Sequence, residues 1–279
     1  MNKLLEFSCA AALEAGKAIL DIYRAADFGV ETKPDHSPLT LADKASHHII
    51  ESILQSTGIP ILSEEGKDIP SEVRRNWRQF WLVDPLDGTK EFISRNGEFT
   101  VNIALIRESK PVLGIILAPV NDILYWGLAG AGSYRLTGAS GKGSSFRSGD
   151  LYRAAERLPV NTVNRTVLVA AASRSHSNEK TRQFIESLQQ EHGEVEFISK
   201  GSSLKLCLVA EGSADIYPRF GPTFEWDTAA GQAIVEQAGG KVIIAESGHP
   251  MTYNKETLLN PEFVAVGLKL QATGFRPIQ

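Results

Sequence analysis

Residues 80–92 read Phe-Trp-Leu-Val-Asp-Pro-Leu-Asp-Gly-Thr-Lys-Glu-Phe, an apolar run that ends in acids and turn residues. The apolar part predicts a strand buried in a core. Asp84 and Asp87 flank Pro85, which fixes the backbone, so both carboxylates and the Leu86 carbonyl can converge on one point. Hard divalent cations such as Mg²⁺ prefer carboxylate, carbonyl and water oxygens. The stretch therefore predicts a metal site, although Asp-Pro and Asp-Gly are also common turn dipeptides.

Two further stretches place acids at the ends of predicted elements. The strand-like run 61–63 leads directly into Glu64 and Glu65, and Asp227 opens an Ala-rich helix. Sites in α/β folds are assembled at such positions, although Asp227 alone would also suit a helix cap. Glu64 and Asp227, added to the pair at 84 and 87, bring together about four negative charges, which two Mg²⁺ would neutralise. Two such ions about 3.5–4 Å apart form the usual clamp for phosphoryl hydrolysis.

The residues around these acids suit phosphate chemistry. Gly88, Thr89 and the residue after them offer consecutive backbone N–H groups to a phosphate. The Thr89 hydroxyl can hold an attacking water, and Glu65 could complete its activation. Asp43, near the start of a predicted helix, could orient Thr89 through a hydrogen bond. An acid at that position equally suits the helix dipole, so the local sequence leaves both interpretations open.

The composition restricts the class of protein. The chain has 279 residues, 42% hydrophobic and 22% charged, with a mean hydropathy of -0.13, as expected of a globular protein. A formal charge of -4 (29 − 33) argues against a general nucleic-acid binder. Two cysteines, Cys9 and Cys207, exclude a disulfide framework. No apolar run reaches the roughly 20 residues of a membrane span, and the N-terminal residues do not resemble a signal peptide.

Hydrophobic periodicity predicts two halves with different textures. Residues 4–24 predict a helix, and a second helix is predicted from Thr40 toward Gly58. Five strand-like runs follow and predict a largely antiparallel meander. The Gly-, Ser- and Arg-rich segment 130–164 is the best candidate for a boundary, and the alternation after it predicts an α/β arrangement. We therefore expect an α/β (α+β) fold with halves at 1–155 and 156–279.

Two adjacent histidines lie in the second predicted helix. Consecutive helical residues point in different directions, and neither His47 nor His48 shows a metal-ligand partner at the usual spacing. The sequence favours surface or packing roles for both side chains.

The combination of acidic blocks resembles the inositol monophosphatase superfamily of Mg²⁺-dependent, lithium-sensitive phosphatases. Its signatures match the pair at 64–65, the block 84–89 and the block 226–231, and the resemblance extends over essentially the whole chain. It implies a layered αβαβα sandwich with the active site between the two halves. It also implies that Glu65, Asp43 and Thr89 position or activate water, and that two or three Mg²⁺ are bound by Glu64, Asp84, the Leu86 carbonyl, Asp87 and Asp227.

Within the superfamily, the continuation 88–92 is similar to the CysQ-type branch of 3′(2′),5′-bisphosphate nucleotidases. The blocks Ser173-Arg174-Ser175-His176 and 200–205 are similar to that branch as well. The resemblance implies a substrate-binding set of Glu64, Leu86, Asp87, Gly88, Thr89, Ser173, His176, Gly201, Lys205 and Asp227. Ser173 and His176 could instead cap the helix that follows them.

The implied reaction is hydrolysis of adenosine 3′(2′),5′-bisphosphate (PAP) to AMP and phosphate, clearing a by-product of sulfate assimilation. The sulfated nucleotide PAPS is a second implied substrate. Two alternatives stay open: an inositol or sugar monophosphatase of the same superfamily, and a non-catalytic protein that senses phosphorylated nucleotide. The implied location is the cytoplasm, with peripheral attachment to the inner membrane compatible with the resemblance. The sequence leaves open whether the chain is a monomer or a homodimer.

Overall fold

The computed structural model describes residues 1–25, 29–32, 38–142, 147–161, 165–172 and 178–272. Within these ranges no helix is both long and apolar enough to cross a lipid bilayer. The helices are α1 (Asn2–Tyr23), α2 (Leu41–Gln55), α3 (Ser71–Arg74), α4 (Thr89–Ile93), α5 (Ser148–Ala154), α6 (Glu179–His192), α7 (Leu204–Glu211), α8 (Glu225–Gln237) and α9 (Leu268–Ala272), with a 3-10 turn at Ala139–Lys142.

The first half of the chain forms a seven-stranded sheet beside a short antiparallel ribbon of β1 (Glu31–Thr32) and β2 (Pro38–Leu39). The sheet follows chain order, with β3 parallel to β4 and every later pair antiparallel. The predicted meander is therefore confirmed. Its strands are β3 (Ile61–Ser63), β4 (Gln79–Asp87), β5 (Thr100–Arg107), β6 (Lys110–Ala118), β7 (Ile123–Leu128), β8 (Gly132–Thr137) and β9 (Glu156–Arg157).

The second half forms a five-stranded mixed sheet. Parallel pairing joins β10 to β11 and to β12, whereas β14 pairs antiparallel with β12 and β13. The strand order is β11-β10-β12-β14-β13. The strands are β10 (Leu168–Ala172), β11 (Val195–Ser199), β12 (Ile216–Arg219), β13 (Lys241–Ile244) and β14 (Phe263–Val266).

Three hydrophobic cores stack these elements into five layers. One core joins α1 and α2 to the first sheet, a second joins both sheets to α7 and α8, and a third joins the second sheet to α6 and α9. Residues 80–83 of β4 are all apolar because Trp81 faces the first core while Phe80 and Leu82 face the second. The expected αβαβα sandwich is confirmed.

Helix α8 packs closely against the first sheet because glycines of that sheet face the helix. A Cβ on Gly114 would lie 2.2 Å from the Ala230 carbonyl oxygen, and one on Gly127 would lie 2.6 Å from that of Ala233. On the helix itself, a Cβ on Gly231 would lie 2.2 Å from Leu206 of α7. These contacts fix the depth of α8, which carries Asp227 in its first turn.

The segment 130–164 contains more structure than its composition indicates. Strand β8 continues the first sheet, and the ring of its Tyr134 stacks on Trp126 with centroids 5.5 Å apart. Helix α5 and strand β9 follow, so β8, α5 and β9 were missed. Their glycines and serines obscure the periodicity on which strand and helix assignment depends. The proposed division at residue 155 stays a prediction.

Replacement of Gly114 by alanine should weaken the contact between α8 and the sheet. We expect Gly114→Ala to destabilise the fold by about 1–3 kcal/mol, because the added methyl group overlaps the backbone of α8. Chemical denaturation measures the change. Gly149→Ala is the matched control, since nothing lies within 4 Å of a Cβ built there. Equal stability of the two variants would contradict the proposed close packing.

Candidate active site

A β-bulge brings Asp84 and Asp87 to the same side of the first sheet. Asp84 pairs with Asn102 and Asp87 with Thr100, so β4 holds one more residue than β5 over this interval. Residues three apart in a regular strand face opposite sides, and the extra residue removes that difference. The Leu86 N–H donates to Asp84 Oδ1 over 3.1 Å and fixes the turn between the two acids.

The carboxylate of Asp87 is held by residues from both halves. Its Oδ2 accepts hydrogen bonds from the Ser203 N–H at 2.7 Å and the Ser203 hydroxyl at 2.6 Å. The Asn102 side-chain amide donates to the same oxygen at 3.2 Å. Asn102 and Ser203 were not predicted, because their role depends on long-range contacts that leave no local signal.

Asp227 both caps its helix and faces the other acids. Its Oδ2 accepts the Phe224 N–H at 2.8 Å at the start of α8. Burial raises the pKa of Asp227 well above its usual range, and the nearby charges of Asp87 and Glu64 raise it further. The capping and metal-binding interpretations of this residue are therefore compatible.

Four of the acids predicted from sequence lie near enough to Asp84 for their charges to raise its pKa. Burial raises the pKa of the Asp84 carboxyl well above its usual value, and further increases come from four neighbouring carboxylates. These neighbours are Glu64, Asp87, Asp227 and Asp43. Such a set of oxygen donors is costly without cations and fits Mg²⁺, which prefers hard oxygen ligands.

The turn that contains Glu64 and Glu65 is tied to the same strand end. The Glu64 N–H donates to the Val83 carbonyl at 3.1 Å, directly before Asp84. The Gly66 N–H closes the turn onto the Ser63 carbonyl at 3.0 Å. Both glutamates are half-buried.

Thr89 forms the predicted contact with Asp43. Its hydroxyl donates to Asp43 Oδ1 at 3.2 Å. The other carboxylate oxygen accepts the N–H and the hydroxyl of Thr40, at 2.7 and 2.5 Å, in a capping box of α2. Asp43 therefore caps its helix and also accepts a hydrogen bond from Thr89, and the role of this pair in positioning water stays a prediction.

Gly88 permits the close approach of a loop from the second half. Its φ of 93° lies in the left-handed region, and a Cβ there would lie 2.1 Å from the Ser202 hydroxyl oxygen. That hydroxyl has one hydrogen, which the carbonyl oxygens of Asp87, at 2.9 Å, and Glu98, at 2.7 Å, share. The loop carrying Ser202 is thereby placed directly beside the acids.

A cavity of about 130 Å³ opens beside these acids, between the two halves. Lys205 and Arg219 bring positive charge to its wall, and Tyr217 and Thr223 also line it. The lining residues are Asp87, Gly88, Glu91, Ser202, Ser203, Lys205, Leu206, Tyr217, Arg219, Thr223, Asp227, Thr228 and Phe263. The sequence did not predict Arg219, Tyr217 or Thr223 as lining residues. They are single residues in or just after β12 and form no motif.

Lys205 and Gly201 have structural partners in the loop before α7. The buried Lys205 ammonium donates to the carbonyls of Lys200, at 3.0 Å, and Ser202, at 2.8 Å. Burial lowers its pKa to about 8. The Gly201 N–H donates to Glu98 at 2.9 Å. Direct contact of either residue with a nucleotide stays a prediction, and Ser173 and His176 lie outside the described residues.

Comparison with known proteins places the chain in a family. A model of the inositol monophosphatase family matches residues 1–273, and the chain belongs to this family of metal-dependent phosphatases. The 3′(2′),5′-bisphosphate nucleotidase CysQ of Escherichia coli O157:H7 is 44% identical over 265 residues, covering 93% of this chain and 98% of that protein. The nucleotidase CysQ of Haemophilus influenzae is 36% identical, covering 92% and 90%.

A solved structure agrees in fold and sequence. The crystal structure of CysQ from Bacteroides thetaiotaomicron, described as a bacterial member of the inositol monophosphatase family, superimposes with a TM-score of 0.89. It is 47% identical, covering 96% of this chain and 98% of that one.

The raised pKa values of Asp84 and Asp227 predict how stability depends on pH. Each group holds its proton to higher pH in the folded state than in the unfolded chain. The Mg²⁺-free protein should therefore lose stability as pH rises from about 4 through the raised pKa values. Asp84→Asn should raise the melting temperature of the Mg²⁺-free protein at pH 8 by about 2 °C or more, because it removes a buried like charge. Differential scanning calorimetry at pH 5, 6.5 and 8 measures both effects.

Added Mg²⁺ provides the control for that measurement. Binding releases the protons that the acids hold, so Mg²⁺ should stabilise the wild-type protein more at pH 8 than at pH 6. Asp84→Asn should respond weakly at either pH. A wild-type protein with the same Mg²⁺ response at both values would contradict the assignment.

Loss of the Ser203 hydroxyl should weaken metal binding through Asp87. We expect Ser203→Ala to raise the Mg²⁺ concentration for half-maximal activity by about 10–100-fold, as for other residues that orient metal ligands. Ser133→Ala is the matched control, because Ser133 is also buried but donates to the Trp126 carbonyl, in the first sheet. The interpretation fails if both variants have the wild-type Mg²⁺ requirement.

Proposed function

We propose that this protein is a Mg²⁺-dependent 3′(2′),5′-bisphosphate nucleotidase that hydrolyses PAP to AMP and phosphate in the cytoplasm. The observation that carries the proposal is a set of four carboxylates near enough to buried Asp84 for their charges to raise its pKa, beside a cavity with two cations. Similarity to CysQ nucleotidases along nearly the whole chain supports the choice of substrate. PAPS, with the same 3′-phosphate, is the second substrate that we propose.

The proposed metal ligands are oxygens of residues that end β3, end β4 and begin α8. They are Glu64, Asp84, the Leu86 carbonyl, Asp87 and Asp227, and we propose that they hold two or three Mg²⁺. Bound Mg²⁺ would act as a Lewis acid toward the phosphoryl group and lower the pKa of water. The chain's own part is to hold these oxygens in place before substrate arrives, which the bonds to Asp84, Asp87 and Asp227 support.

We assign the positioning of the attacking water to Thr89, Asp43 and Glu65. Because the Thr89 O–H donates its hydrogen bond to Asp43 Oδ1, the lone pairs of the Thr89 oxygen are left to accept a hydrogen bond from water. Asp43 is itself held by Thr40, so the direction of the Thr89 hydroxyl is fixed. Glu65, next to Glu64 in the turn after β3, would accept the proton of that water.

A bisphosphate needs more positive charge than a monophosphate, and the cavity wall offers it. The Lys205 ammonium has three N–H groups, of which two are directed at the carbonyls of Lys200 and Ser202. We propose that the third, together with Gly201, Ser173 and His176, contacts the nucleotide near its second phosphate. Arg219, on the same wall, adds a second cation.

A substrate panel tests the proposed function. We expect Mg²⁺-dependent phosphate release from PAP with kcat/KM at least about tenfold above that for inositol 1-phosphate, a difference of about 1.4 kcal/mol. Lithium should inhibit the reaction, as the family resemblance implies. A preference for inositol phosphate would favour the alternative monophosphatase. Nucleotide binding without turnover would favour a sensor.

The role of Thr89 can be separated from a role in folding. Thr89→Ala should lower kcat for PAP by about 10²–10³-fold with little change in KM, because the hydroxyl positions water rather than substrate. Thr89→Ser keeps the hydroxyl and should restore most of the rate. Equal activities of the two variants would remove the hydroxyl from the mechanism.

A further inference from the structure

Three potential metal ligands lie together on α2, on the side of the acidic turn. The ligand atoms of His47, His48 and Glu51 all lie within 4.8 Å of one another. The two imidazole centroids are 5.4 Å apart, and His47 Nε2 lies 3.8 Å from Glu51 Oε2. None of the three belongs to the carboxylate set around Asp84.

Helix geometry explains why these residues meet, against the expectation from sequence. Each residue turns the helix by about 100°, so His48 lies about 100° around the axis from His47. Glu51, four residues after His47, lies about 40° around the axis, between the two histidines and one turn further on. The missing partner is therefore Glu51, and the three side chains share one face.

The surroundings of His47 leave one ring nitrogen directed at this cluster. His47 is buried, and its Nδ1 lies 3.0 Å from the Ser63 hydroxyl, at the end of β3. A hydrogen bond at one ring nitrogen fixes the orientation of the imidazole and leaves the other available as a ligand. His48 is exposed and Glu51 half-buried, so an ion can reach the cluster from solvent.

We propose that His47 Nε2, His48 and Glu51 form a binding site for a zinc-type divalent cation, separate from the Mg²⁺ centre. Two imidazoles and one carboxylate, with water in the fourth position, suit Zn²⁺, whereas Mg²⁺ prefers oxygen ligands alone. The site is joined to the end of β3 through Ser63, the residue before Glu64. An ion bound there would hold the His47 ring in place against that strand end.

Zinc binding in excess Mg²⁺ tests the proposal, because Mg²⁺ then occupies the carboxylates. Zn²⁺ is titrated against a chromogenic chelator with the wild-type protein, His48→Ala and Glu51→Gln. We expect both variants to bind Zn²⁺ at least tenfold more weakly than wild type, with unchanged melting temperatures in the absence of Zn²⁺. Co²⁺ in place of Zn²⁺ should give the visible absorption of a nitrogen-ligated ion in wild type but not in these two variants.

Two control variants make the outcome decisive. His249→Ala removes an exposed histidine from the second half and should bind Zn²⁺ as wild type does. Asp84→Asn removes a proposed Mg²⁺ ligand and should keep the same zinc site. Wild-type Zn²⁺ affinity in His48→Ala would overturn the proposal, because the cluster would then be a plain His–Glu ion pair. Loss of the site in Asp84→Asn alone would overturn it too, by assigning the zinc to the carboxylates.

Discussion

Mutual repulsion among clustered carboxylates is the constraint on which the rest of the site depends. Asp84 is 2% exposed, and this burial raises its pKa most, with a further increase from four other acids. Among the described residues, Asp84, Asp87 and Asp227 each accept hydrogen bonds through one carboxylate oxygen. Each acid is thus fixed by one oxygen, and the second oxygen of each carboxylate is the one that we propose for binding a cation. The fold holds the acids together, and the proposed Mg²⁺ would remove the cost of doing so.

The two halves of the sandwich each supply part of this arrangement. Asp84 and Asp87 come from the first sheet, whereas Ser203 and Asp227 come from loops and helices that pack on the second. Glycines of the first sheet let α8 pack closely against that sheet. Asp227 of α8 therefore lies near Asp84 and Asp87 only when the helix is docked there. Binding of the proposed Mg²⁺ and the packing of the halves would therefore stabilise each other.

The sequence predicted those parts of the fold and site that have local causes. The acids follow an apolar strand or open a helix, and the Thr40 cap marks the start of α2, so short-range patterns were sufficient for them. Asn102 and Ser203 could not be predicted, because their only sign of function is a bond to Asp87 made across the fold. The same holds for Gly114, whose missing side chain matters only against α8, and for β8, where glycines hide the strand period.

A last set of contacts joins α3, which follows Glu64 in the chain, to the start of α8, which carries Asp227. Arg74, buried at the end of α3, donates to Asn254 Oδ1 at 3.0 Å and to the carbonyls of Lys255 and Glu256. Glu225, fully buried at the start of α8, accepts the N–H groups of Asn254 and Lys255 at 2.6 and 3.0 Å. One loop therefore joins the element that follows Glu64 to the helix that carries Asp227. Arg74 and Glu225 are both buried and charged, so loss of these hydrogen bonds would leave a buried charge without its partners, and the bonds therefore stabilise the contact between the two segments.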